Sequence, residues 1–94
     1  MYARVTEYKM KPGTREAATE RLNTMKSQIM GMKGMQHFLN VMNEDGTGYV
    51  ISVVDSEESS KANAEAVKAA WGKMAEFLEA MPTPKGFDVI ADWS

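Results

Sequence analysis

His37 is the only histidine in the 94-residue chain, and the only side chain whose ordinary pKa lies near neutrality. Such a group can take a proton from an acidic phenol or from a carbon beside a carbonyl. Its neighbours at alternate positions are Met35, Leu39 and Val41. If that face lines a cleft, His37 is the candidate general base; if it does not, His37 packs at a subunit interface or stands on a sheet edge. Tyr8 and Tyr49, with Tyr2, pair an apolar ring with a hydroxyl. They can hold a quinone-like oxygen while packing against its ring, or they can anchor a wall or an interface. Trp71 offers the same choice between core and cleft wall, as does Trp93. Arg4 can steady an anionic oxygen, or pair with Asp88 or Asp92.

Nine methionines give a flexible, polarisable lining suited to flat apolar ligands, although gap filling in a core explains them too. A copper site would need thioethers grouped with histidine or cysteine, and cysteine is absent. The same absence removes disulfides and thiolate catalysis. One histidine and scattered carboxylates make no metal site. The chain has no G-x-S-x-G elbow, no phosphate-binding glycine loop and no dinucleotide fingerprint, so no cofactor is expected.

These residues must be carried by a short series of elements. Tyr2 to Met10 alternates as a strand, with Ala3 and Val5 on one face and Tyr2, Arg4, Thr6 and Tyr8 on the other. Pro12-Gly13 ends it, and Thr14 is the expected N-cap of a helix whose stripe is Ala18, Leu22, Met25 and Ile29. Met35 to Met42 and Tyr49 to Val54 read as two strands joined by a turn-rich hairpin loop, Asn43 to Gly48. Asp55 with Glu58 resembles a capping box. The spacing predicts a second helix to about Ala80, with Val67, Ala70, Met74 and Phe77 inward and Lys61, Glu65 and Lys68 in water. Gly72 within it signals close packing, a slight kink or an opening beside a ligand. After Pro82-Thr83-Pro84, Gly86 to Trp93 is expected as the last strand.

The order β-α-β-β-α-β defines an α+β, ferredoxin-like domain over residues 1–94: a four-stranded antiparallel sheet with two helices on one face. The other face is then bare, and a second copy of the chain is the simplest cover, giving a homodimer. A chain this size buries about two thirds of its unfolded surface, so dimerisation would also add stability. With 11 basic and 13 acidic residues, no basic stripe invites nucleic acid. No apolar run is long enough to span a membrane, and the opening residues lack a signal-peptide pattern, which makes the cytoplasm the default location.

Four segments carry a family resemblance: Lys11-Pro12-Gly13-Thr14, Gly34-Met35, Val53-Val54-Asp55-Ser56-Glu57-Glu58 and Ala69-Ala70-Trp71. Together they resemble the dimeric α+β barrel superfamily, in particular antibiotic biosynthesis monooxygenase-like domains. The resemblance implies two sheets paired about a twofold axis and a ligand cleft between sheet and helices in each subunit. It further implies a small, mostly apolar or aromatic ligand, and cofactor-free oxygenation of phenolic or quinol-like compounds. For such a reaction the residues offer His37 as base, Tyr8, Tyr49 and Trp71 to hold the ring, and Arg4 to steady an anionic oxygen. The haem-degrading branch uses an Asn–Trp–His trio; the matching positions here are Thr6 and Asn63, and no histidine lies in the second helix, which disfavours that activity. The other reading is a non-catalytic ligand-binding or stress-associated dimer of the same fold. A purely structural assembly module would have no cleft at all.

Overall fold

The computed structural model describes residues 1–94, in the order β1 (Tyr2–Lys9), α1 (Arg15–Thr24), α2 (Lys26–Met30), β2 (Met35–Met42), β3 (Thr47–Val54), α3 (Glu57–Ala62), α4 (Ala64–Met74) and β4 (Lys85–Asp88). The four strands form one antiparallel sheet in the order β2-β3-β1-β4, the ferredoxin-like arrangement. Helices pack on one face only. The inward stripe read from the sequence is in place: Ala18, Met25, Ile29, Met74 and Phe77 are buried, with Leu22 and Ala70 packed against them.

Each expected long helix is divided. Met25 separates α1 from α2, and Asn63 separates α3 from α4. Asn63 is buried, and its side chain bonds both ways with the backbone of Lys33: Nδ2 donates to the carbonyl at 2.8 Å and Oδ1 accepts from the N–H at 3.0 Å. This clasp ties the helix to the loop that leads into β2. The cap of α3 is Ser56 rather than Asp55, because Ser56 Oγ accepts from the Ser59 N–H at 3.1 Å. At the far end, α4 stops at Met74 and a 3-10 turn covers Ala75–Phe77. Leu78 is then drawn into an extended bridge opposite Met10, and the Glu79 N–H donates to the Lys9 carbonyl at 3.0 Å. The helix therefore ends short of Ala80. Gly72 is exposed with open space around it, which matches neither close packing nor an opening beside a ligand.

β4 is also shorter than expected. Its pairing with β1 runs from Val5↔Lys85 to Tyr2↔Asp88, and there β1 begins. Beyond Asp88 only the Val89 N–H finds the sheet, donating to the Met1 carbonyl. The residues after it have no strand to pair with, and Ile90 and Trp93 stand 98% and 92% exposed.

Candidate functional site

A cavity of about 60 Å³ lies between the sheet and the helices. Side chains alternate across a strand, so one phase of each strand reaches it. β1 supplies Arg4, Thr6 and Tyr8, with Met10 just beyond its end; β2 supplies Met35, Phe38 and Asn40; β3 supplies Val50 and Ser52. The helical side supplies Leu22, Met25, Ile29 and Met32, and then Val67, Ala70, Trp71 and Met74. Of these 17 residues 13 are hydrophobic, and five are methionines.

The polar groups are few and spaced along the wall. The Tyr8 hydroxyl donates to Asn40 Oδ1 at 2.6 Å and lies 3.2 Å from the Val41 carbonyl. Burial pushes the Tyr8 pKa up, with the positive charge of Arg15 opposing it in part, so Tyr8 is a neutral donor. Its ring meets Trp71 with centroids 5.9 Å apart and planes tilted by 52°, a favourable aromatic geometry. Arg4 Nη2 donates to the Ser60 carbonyl at 2.7 Å and to Ser60 Oγ at 2.9 Å. It does not pair with Asp88 or Asp92. Desolvation lowers the Arg4 pKa from its ordinary value, with Tyr2 acting in the opposite sense, but guanidinium stays charged in proteins. Thr6 and Ser52 add two hydroxyl-bearing side chains to this wall.

Arg4, Tyr8 and Trp71 are thus brought together. His37 and Tyr49 are not: both lie on the opposite face of the sheet, and neither lines the cavity. The cause is local. The β2–β3 pairing shifts between Met35 and His37, a bulge that turns Met35 toward the helices while His37 shares the bare face with Leu39 and Val41. His37 Nε2 lies 3.4 Å from Asp92 Oδ2, and its side chain is 60% exposed. The Tyr49 hydroxyl donates to Glu7 Oε2 at 2.8 Å, which raises the Tyr49 pKa. Of the positions aligned with the haem-degrading trio, Thr6 does face the cavity, whereas Asn63 is occupied by Lys33.

Sequence reasoning missed Asn40 and Ser52. The available signal was a polar residue in phase with apolar ones, Asn40 between Phe38 and Met42 and Ser52 between Val50 and Val54. A lone polar side chain in the inward register of a strand marks either a buried hydrogen bond or a ligand contact.

Solved structures with the same arrangement include a protein of unknown function from Nitrosomonas europaea, with a TM-score of 0.81 at 17% identity over 99% of this chain and 92% of that one. A candidate antibiotic biosynthesis monooxygenase from the same organism gives a TM-score of 0.78 at 16% identity, over 97% of this chain and all of the other. A further structure, of an antibiotic biosynthesis monooxygenase, gives 0.75 at 8% identity over 97% and 100% of the two chains. No family model matches the sequence, and no curated protein does. The resemblance read from the sequence therefore holds for the fold: this is the α+β domain seen in antibiotic biosynthesis monooxygenase-like structures.

Proposed function

We propose that this chain binds a small, mostly apolar aromatic molecule in the cavity between sheet and helices, as one half of a homodimer. The observation that carries this reading is the lining: a mainly hydrophobic wall rich in methionine, interrupted by Arg4, Thr6, Asn40 and Ser52. Its present volume of about 60 Å³ is well below the ~300–1,000 Å³ of pockets that enclose drug-sized ligands. Methionine is the side chain best able to yield, having three rotatable bonds and no branch. The ligand enters by displacing thioethers rather than by filling a preformed void.

The solved monooxygenases of this fold favour an oxidative role for the same site. In that reaction a phenol with a free ring position takes one atom of dioxygen to become a quinone, and the second atom leaves as water. The substrate supplies all four electrons. Arg4, the one full charge on the cavity wall, stabilises the phenolate; Tyr8 and Asn40 orient its oxygen; the apolar lining keeps water from the reacting anion. With His37 on the other side of the sheet, the phenol in this reading gives up its proton to solvent as it enters and not to His37 of its own subunit.

Thermal shifts against quinols, polyphenols, flavin and haem test the binding. A ligand at a hundredfold its Kd stabilises by about 2.7 kcal/mol, and a quinol hit is the expected result. Oxygen uptake with that hit is then expected to persist in His37→Ala and to fall in Arg4→Gln. Binding without uptake assigns the chain to the non-catalytic ligand-binding dimers, and silence across the panel removes the binding reading itself.

A further inference from the structure

A second hollow, of about 410 Å³, opens on the outside of the cavity between α3–α4 and the segment 81–86. It falls within the size range of small-molecule sites. Glu57, Lys61, Ala64, Lys68 and Trp71 recur at steps of four and three residues, which places them along one helical face, and that face is a wall of the hollow. Met81, Pro82 and Pro84 form an apolar part of the other side. Arg4, Val67 and Trp71 line both spaces and so make the partition between them.

The charge of this hollow is one-sided. Arg4, Lys61 and Lys68 line it, with Lys85 at the strand edge, against the single carboxylate of Glu57. None of these cations lies within ion-pair distance of a carboxylate. Arg4 is part-buried and uses Nη2 for both bonds to Ser60, which leaves Nε and Nη1 without a protein partner. A guanidinium partly withdrawn from water, with Nη1 free and no counterion, can give a carboxylate oxygen a single charge-assisted hydrogen bond.

We propose that this hollow receives the carboxylate of a small aromatic acid, held by a hydrogen bond from Nη1 of Arg4 in the field of Lys61 and Lys68. The ring lies against Trp71, and its apolar end passes the partition into the methionine-lined cavity. This rests on the cavity-binding reading above and narrows its ligand to an acid.

Calorimetric titration of the full chain with 1-naphthol and with 1-hydroxy-2-naphthoate, which differ by one carboxylate, separates the two ideas. At low salt the naphthoate is expected to bind about tenfold tighter or more, the scale of a charge-assisted hydrogen bond. That advantage is expected to shrink as salt rises and to close to within about twofold in Arg4→Gln. The double variant Lys61→Gln/Lys68→Gln alters only exposed helix positions and is expected to lose part of the advantage while folding normally. Equal binding of the two compounds overturns the acid site and leaves the cavity reading standing. Binding of neither overturns both. A naphthoate preference unchanged in Arg4→Gln and in the double variant places the acid elsewhere and overturns the site.

Discussion

Tyr8 shows how one side chain is fixed from several directions at once. Its ring abuts Trp71, its hydroxyl donates to Asn40, and Gly48 stands opposite it on β3, where a Cβ would come within 2.5 Å of the Tyr8 oxygen. The pocket for the phenol head is thus made partly by a side chain that is missing. Tyr8→Phe keeps the ring contact and strands the Asn40 acceptor, so it is expected to lower unfolding stability by about 1–2 kcal/mol in urea titrations, with little change in secondary structure by circular dichroism. That Tyr8 and Arg4 share one face of β1 could be read from strand phase, and the inward place of Trp71 from helix spacing. The place of His37 could not, because β2 carries apolar residues on both faces: Phe38 and Met42 toward the helices, Leu39 and Val41 away from them. Periodicity alone then gives no inside, and the bulge after Met35 shifts the phase within the strand.

At the scale of elements, the helical stripes were legible and the interruptions were not. The stripes are a property of local spacing. The breaks come from partners distant in sequence: Lys33 gripping Asn63, and Met10 drawing Leu78 out of the helix. The start of α3 carries a measurable acid sensitivity. Hydrogen bonds from the Ser59 and Ser56 hydroxyls hold the Asp55 pKa below the usual carboxylate value, and Lys33 adds to the effect. A carboxyl that titrates lower in the folded state stabilises above its unfolded pKa, and that contribution is lost as pH falls through the folded one. Asp55→Asn is therefore expected to be less stable than the parent near neutrality and to converge with it as the medium becomes strongly acidic. Paired thermal melts across that range check this; parallel curves at every pH would contradict it.

For the molecule as a whole, the face turned away from the helices is the surface that the proposed dimer would cover. Register places Leu39, Ile51 and Val5 in one cross-strand row, and His37, Val53, Ala3 and Phe87 in another. Leu39, Val41 and Phe87 are substantially exposed there, and large apolar side chains gathered on one exposed face are of the kind that marks an interaction site. Light scattering is expected to give twice the mass of one chain. Leu39→Glu, which puts a charge on the exposed β2 end of the row, is expected to shift the mass to that of a single chain while the thermal-shift response to a cavity ligand survives, since the cavity lies on the other side. Sequence reading reached this bare face through element order, but it overran β4. The strand ends where β1 gives out, and no local property of residues 89–93 announces that.

The two tryptophans sit in opposite surroundings: Trp71 partly buried at the wall between cavity and hollow, Trp93 standing in solvent at the end of the chain. The molecule consequently carries two optical reporters that can be read separately. Iodide will extinguish the emission of Trp93 and largely spare that of Trp71. In a Trp93→Phe chain the remaining fluorescence reports on the surroundings of the cavity wall alone, and in a Trp71→Phe chain on those of the exposed tail.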